Sequence, residues 1–231
     1  YSWTGPNVKK EEADKLALMA KKQASRIAKK YAFYFIAGTV VEHLNERRGN
    51  HLYNVCYVFD PKGKIIGHYD KRHPVPNLEK ELTPGPTHKI IKTRFGNIGL
   101  QICRDILYSE TTKTTADMGA KIIFSPTFWS RSSNVFRSSL KKYHHNDEVM
   151  PIKYIPIARS IENEAIFVLV NAGGKYKFNN RHDIMLGYTQ INEPFIGQLD
   201  IFNNNKEKLM VHTVETETVD EMRKGWKIRG H

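Results

Sequence analysis

The chain has 231 residues, 40% of them hydrophobic and 11% aromatic, and carries a formal charge of +12. This composition excludes a disordered chain, and the length suffices for one domain with a substantial core, with only two cysteines and so no disulfide scaffold. The longest apolar run, Ala32 to Val41, is about half a membrane span and is broken by Gly38, so no crossing of a bilayer is expected.

The sequence opens on Tyr1 rather than Met, with no signal-like segment, and is expected to lack its natural start. After a turn at Gly5-Pro6-Asn7, Ala13, Leu16, Ala17, Ala20, Ala24, Ile27 and Ala28 recur at helical spacing, which predicts an amphipathic helix over 9 to about 30. Lys15, Lys21, Lys22, Lys29 and Lys30 dot its polar face. The positive charge stays scattered in this way and never forms a basic run interleaved with stacking aromatics, so a solvated lysine-rich surface is expected, ahead of attraction of an anionic substrate or a polyanion site, and nucleic acid is not an expected partner.

Tyr34 to Val41, Leu52 to Asp60 and Lys64 to Tyr69 read as strands, the last two joined by the turn Asp60-Pro61-Lys62-Gly63. Pro74, Pro76, Pro84 and Pro86 then exclude both helix interior and central strand, leaving a long ordered loop of the kind that carries function. A second hairpin is predicted from His88 to Arg94 and Ile98 to Cys103, turning at Phe95-Gly96-Asn97. A helix from Asp105 to Met118 should end at Gly119. Lys121 to Ser125 reads as a buried strand stopping at Pro126, followed by a helix from Pro151 to about Glu164 and a strand from Ala165 to Asn171. Two or three strands are expected within Ile184 to Val214, a turn at Asn203-Asn204-Asn205, and a closing helix from Val219 to Lys224. Strands alternating with helices, with local hairpins among them, indicate an α/β class with a mixed sheet covered by helices.

Cys103 ends an apolar strand and opens a helix-like stretch, where open α/β folds place their ligands. A thiol at a helix N-terminus beside a cation has a depressed pKa and reads as a nucleophile. Cys56, in the middle of Tyr53-Asn54-Val55-Cys56-Tyr57-Val58, reads as a buried structural cysteine. Lys71 closes another strand-like run and, taken alone, is a surface lysine. His144-His145-Asn146-Asp147-Glu148 has metal-capable side chains but not the spacing of a metal site. Two reduced cysteines and the lack of any Asn-x-Ser/Thr acceptor point to an intracellular, cytoplasmic protein.

Read together, Tyr69-Asp70-Lys71-Arg72-His73, Thr83-Pro84-Gly85 and Gly96-Asn97-Ile98-Gly99-Leu100-Gln101-Ile102-Cys103-Arg104-Asp105 resemble the nitrilase, or carbon-nitrogen hydrolase, superfamily. Tyr108-Ser109-Glu110, Gly119-Ala120-Lys121, Ser125-Pro126-Thr127-Phe128-Trp129, Arg159-Ser160-Ile161-Glu162-Asn163 and Val168-Leu169-Val170-Asn171 extend the resemblance in register over roughly residues 30 to 215. It implies a four-layer αββα sandwich over the single domain 1–231. It also implies a Glu-Lys-Cys triad that hydrolyses a nonpeptide amide, N-carbamoyl amine or nitrile through a thioester, with no metal or organic cofactor and with the chain paired as a homodimer or larger assembly.

By that resemblance Cys103 attacks the substrate carbon, while Lys71 and the Arg104 backbone N–H hold the oxyanion. Glu79, or failing it Glu81, is the loop glutamate that binds the lysine or orients a substrate amine or water. Arg104, Thr127 and Trp129 are the implied substrate-binding positions, with Phe128 and Trp129 equally able to pack the core. Asp70 and Pro74 depart from the usual surroundings of the lysine, and Arg104 stands where an aromatic or apolar residue is usual, either favouring an acidic substrate or pairing with Asp105 or Glu110. The family's general-base glutamate belongs upstream of Tyr1, since Glu11, Glu12 and Glu42 lack its strand-end context. A noncatalytic binding or assembly protein is therefore the alternative.

Overall fold

The computed structural model describes residues 10–44, 51–76, 78–131, 148–178 and 181–229. The turn expected at Gly5-Pro6-Asn7, residues 144–147 of the histidine cluster, and 132–147 of the loop before the second long helix lie outside them.

Helix α1 (Lys10–Tyr31) buries Ala13, Ala17, Ala20, Ala24 and Ala28 on one stripe. Side chains this small let the helix axis approach the strands it covers closely. Those strands are β1 (Phe35–His43), β2 (Leu52–Phe59) and β3 (Ile65–Asp70), an antiparallel sheet with β2 in the middle. Every residue of β2 is buried, because α1 covers one face and a second sheet the other. The predicted turn between β2 and β3 forms as expected: the Asp60 carboxylate accepts the amides of Lys62 and Lys64, and Gly63 supplies φ +80.

The second sheet contains β4 (Ile90–Thr93), β5 (Gly96–Leu100), β6 (Ile122–Thr127), β7 (Ile166–Asn171), β10 (Gln190–Glu193) and β11 (Gly197–Ile201), in the order β11-β10-β7-β6-β5-β4. Its centre, β5-β6-β7, is parallel, and its flanks are antiparallel. Helices α2 (Ser109–Asp117) and α3 (Val149–Glu162) pack against it, and Cys56, Val58 and Tyr69 of the first sheet share a core with Ile91, Ile98, Leu100 and Phe167 of the second. The layers are therefore helix, sheet, sheet, helix, the αββα sandwich expected. Strands β8 (Lys175–Phe178) and β9 (Arg181–Ile184) form a separate hairpin, and α4 (Thr216–Trp226) closes the described chain. Among the described residues no helix is long and apolar enough to cross a membrane.

Three expectations are corrected. The helix predicted over 105–118 is a 3₁₀ turn (Cys103–Leu107) and then α2, separated by extended backbone at Tyr108 (φ −104, ψ 102). The break places the Tyr108 ring flat against His73, with centroids 3.6 Å apart. Strand β6 does not stop at Pro126 but pairs with β7 through Thr127. Proline is tolerated there because β5 pairs with β6 only as far as Phe124, so the missing N–H faces a side with no strand. Strands resume before Ile184, where the next after Asn171 was expected: Lys175–Phe178 and Arg181–Ile184 pair as the β8-β9 hairpin.

Helix α3 holds Pro156 in its interior, which deprives the Ile152 carbonyl of its helical donor. Gln190 Nε2 from β10 takes that carbonyl at 2.9 Å, so the helix stays fixed to the sheet where a proline would otherwise leave a buried acceptor unpaired.

Candidate active site

Lys71 directly follows β3. Its amide donates to the Asn54 carbonyl at 2.8 Å and its own carbonyl accepts from Gly85 at 2.7 Å, so the strand end is clamped between β2 and the proline-rich loop. Cys103 follows β5, after Gln101 has continued the parallel ladder by donating to the Phe124 carbonyl. The backbone of Cys103 then turns at φ +50. For a residue with a Cβ this conformation costs about 1–2 kcal/mol, and such strain collects at functional sites.

The lysine side chain is fully buried and bonds Glu79 Oε2 at 2.6 Å, with neither side chain exposed. The same oxygen accepts the Val75 amide at 2.6 Å, and Oε1 accepts Asn54 Nδ2 at 3.0 Å. Glu81 is exposed, so it is Glu79 that the loop delivers to Lys71. Glu42, the early candidate on β1, pairs instead with Lys21 at 2.5 Å.

Burial governs the charges here. It lowers the Lys71 pKa and raises that of Glu79 to about 7, against the pull of the Val75 amide. It also raises the Cys103 thiol, although Lys71 and a hydrogen bond from the Phe128 backbone oppose it. The depressed thiol expected from a cation and a helix N-terminus is thus reversed in direction: desolvation outweighs Lys71 and the Phe128 hydrogen bond and holds the thiol above its ordinary range. A nucleophile in this state requires a base.

Arg104 pairs with neither Asp105 nor Glu110. Its Nη2 donates to the Tyr108 hydroxyl at 3.1 Å, and its Nε is buried without a hydrogen-bond partner. Its charge still reaches the Lys71–Glu79 pair and lowers both pKa values. Thr127 and Phe128 line an apolar groove of about 1320 Å3 between β1 and the inner face of β6 and β7, whose walls include Phe35, Gly38, Phe124 and Val168. Cys103, Lys71 and Glu79 lie outside its lining, and Cys103 meets it through the Phe128 backbone. Trp129 is buried in the main core rather than on the groove, with its amide on Asn171 Oδ1 and its indole N–H on Glu148.

The sequence reading missed the polar residues that hold these parts. Asn54 was legible as a polar residue inside a wholly apolar strand, a position where asparagine is uncommon. Asn171, at the end of β7, fixes the loop after β6 by bonding both backbone groups of Trp129 and the Gly187 carbonyl. Arg159 of α3 donates to the Ile106 carbonyl at 3.0 Å and supports the Cys103 turn from behind. Asp105 takes donors from both the lysine segment and the cysteine segment.

The carbon-nitrogen hydrolase family model matches residues 9–223. Among curated proteins, the chain is 28% identical over 214 residues to the probable hydrolase YhcX of Bacillus subtilis, covering 88% of this chain and 37% of the relative. It is 31% identical over 125 residues to the omega-amidase NIT2 of Homo sapiens, covering 50% of this chain and 44% of that one. The chain thus spans less than half the length of these relatives.

Among solved structures, a carbon-nitrogen hydrolase from Helicobacter pylori G27 superposes with a TM-score of 0.80 at 22% identity, over 99% of this chain and 78% of that one. A mutant amidase from Nesterenkonia sp. AN1, showing covalent addition of the acetamide moiety of fluoroacetamide at its active site cysteine, superposes with a TM-score of 0.70 at 15% identity, over 95% and 76%. At these identities the likeness is one of fold.

Proposed function

We propose, for a chain that belongs to the carbon-nitrogen hydrolase family, cysteine-dependent hydrolysis of a nonpeptide C–N bond in an amide, N-carbamoyl amine or nitrile. The observation that carries this reading is the fully buried Lys71–Glu79 pair, whose ammonium acts on a Cys103 thiol set on a strained turn.

On an amide, a carboxylate base takes the thiol proton and the sulphur attacks the carbonyl carbon. Lys71 Nζ and the Arg104 backbone N–H receive the oxyanion, an interaction that strengthens as charge develops. The C–N bond breaks as the amine takes the proton back, leaving a thioester. Water then attacks the thioester, releasing the acid and returning the proton to sulphur. Glu79, held by three donors against Lys71, suits orientation of the leaving amine or incoming water. Arg104 and Thr127 are assigned to substrate binding, Thr127 on the groove, whereas Trp129, expected to bind substrate, packs in the core behind it. The Nesterenkonia amidase, modified at its active site cysteine, supports the assignment of Cys103 by fold alone.

The two free cysteines suit the cytoplasm. The outer face of α3 exposes Met150, Tyr154 and Ile161 on one stripe, which supports pairing of two copies.

A noncatalytic binding or assembly protein is the second reading, favoured by the commitment of both Glu79 oxygens to donors, which leaves proton uptake to another carboxylate. A panel of small amides, N-carbamoyl amines and nitriles, assayed for released ammonia with the full-length protein, separates the two. Turnover on one class, abolished by Cys103→Ala with an unchanged melting temperature, is the expected result. Turnover that survives Cys103→Ala sinks the nucleophile assignment, and none on any class favours the binding protein.

A further inference from the structure

Asp105 lies two residues beyond the nucleophile, is wholly buried, and is not one of the groups assigned to the chemistry. Its Oδ2 accepts the Tyr69 hydroxyl at 2.9 Å and the Ile102 amide at 3.0 Å. Its Oδ1 accepts the His73 amide at 2.9 Å and lies 2.9 Å from the His73 ring nitrogen Nδ1. The donors come from two segments. Tyr69 and His73 stand two residues before and two residues after Lys71, and Ile102 immediately precedes Cys103. One carboxylate therefore ties the lysine segment to the cysteine turn through four contacts from three residues, with Cys103 enclosed between Ile102 and Asp105.

The strained φ of Cys103 makes that tie consequential. Without the Ile102 N–H bond, the turn can relax out of the left-handed region and carry the sulphur away from the ammonium. Asparagine cannot serve both segments: if its oxygen keeps the His73 donors its NH2 meets the Ile102 N–H, and if its oxygen keeps the Ile102 N–H its NH2 meets the His73 amide, so the lysine segment and the cysteine turn come apart in either orientation.

We propose that Asp105 is a positioning residue, whose carboxylate sets the separation of the Cys103 sulphur and the Lys71 ammonium and thereby the turnover of bound substrate. The inference rests on the hydrolase reading for its effect on turnover, but its effect on the thiol is independent of that reading. The two readouts consequently separate its failure from the failure of the function.

The test uses the full chain with Asp105→Asn and Tyr69→Phe, measuring kcat and KM on whichever substrate is turned over, and the rate of Cys103 alkylation by iodoacetamide against pH. Misplacement by about 1 Å costs on the order of 10²-fold in rate, so Asp105→Asn is expected to lower kcat by about that factor with KM little changed. Its alkylation midpoint is expected to move to higher pH, because the sulphur loses its cation. A carboxylate that acted only through its charge gives the opposite sign, since removing a negative group makes the thiol more acidic. A midpoint that falls or stays put in folded Asp105→Asn overturns the proposal, whatever turnover does. Should Asp105→Asn not fold, Tyr69→Phe decides by the same sign: it removes no charge but frees the Oδ2 that also holds the Ile102 amide from its anchor on the lysine segment, so an unmoved midpoint there overturns the proposal equally. Absence of turnover in the wild-type chain counts against the hydrolase reading, and the midpoint alone then decides the role of Asp105.

Discussion

Lys71 and Glu79 meet at 2.6 Å with no solvent contact, so each depends on the other for its charge. Removing one partner of a buried pair strands the other, at a cost of about 3–5 kcal/mol. Lys71→Met should therefore lower the free energy of unfolding in urea by roughly that amount at pH 8. At pH 5 the gap should narrow, because a protonated Glu79 needs no cation. The wild-type chain carries the same linkage. Its folded state keeps the Glu79 proton up to about pH 7, whereas the unfolded carboxyl releases it near 4.5, so this contribution is full below 4.5 and lost as pH rises through 7. Glu79→Gln is expected to flatten that part of the stability profile, measured by urea unfolding between pH 4 and 8. An unchanged slope would falsify the assignment of the raised carboxyl to Glu79. The positions of Lys71 and Cys103 at strand ends were legible in the sequence, because alternation and turn residues mark where strands stop. The acidity of Cys103 was not, since it depends on desolvation by residues distant in the chain.

Two glycines show how elements set the site. A Cβ on Gly85 would lie 2.1 Å from the Asp70 carbonyl oxygen, which is backbone and cannot rotate away. Gly85→Ala must push the proline-rich loop off the end of β3, where Gly85 also bonds Lys71. The expected outcome is a loss of kcat on the order of 10²-fold, read by steady-state kinetics, since both Lys71 and the Glu79 loop move. A Cβ on Gly99 would lie 2.2 Å from Thr115 Cγ2, a side chain of α2. Gly99→Ala should cost about 1–3 kcal/mol in stability while kcat in the folded fraction is kept, because it lifts a helix off the sheet on the side away from Lys71. Equal effects of the two substitutions on kcat would mean that the loop has no special hold on the site. The elements themselves were mostly legible from period and turn chemistry. The failures at Tyr108 and Pro126 share a cause, since each is decided by a partner from elsewhere: His73 stacks on Tyr108, and β5 ends beside Pro126.

At the scale of the molecule, the order of strands in the two sheets was not readable from the sequence, because it depends on which apolar faces meet after the chain has crossed over. The resemblance supplied the four layers, and the order within each sheet comes from the folded chain. The outward face was readable only in part: helical period marks Met150, Tyr154 and Ile161 as one stripe, but only the folded chain shows them 54%, 49% and 43% exposed. If two copies pair through this stripe, they do so against a formal charge of +12 on each. The two forces respond oppositely to salt. Raising ionic strength from about 0.01 M to 0.15 M shortens the screening length from about 30 Å to 8 Å, weakening the repulsion, while apolar contact is little affected. Association should therefore tighten with salt in sedimentation velocity, and Tyr154→Glu should return the protein to monomer at both ionic strengths. A complex held by cation to anion contacts would instead loosen over the same range, as would any binding of nucleic acid to the lysine-rich surface. Loosening, or a monomer throughout, would remove the case for pairing through α3.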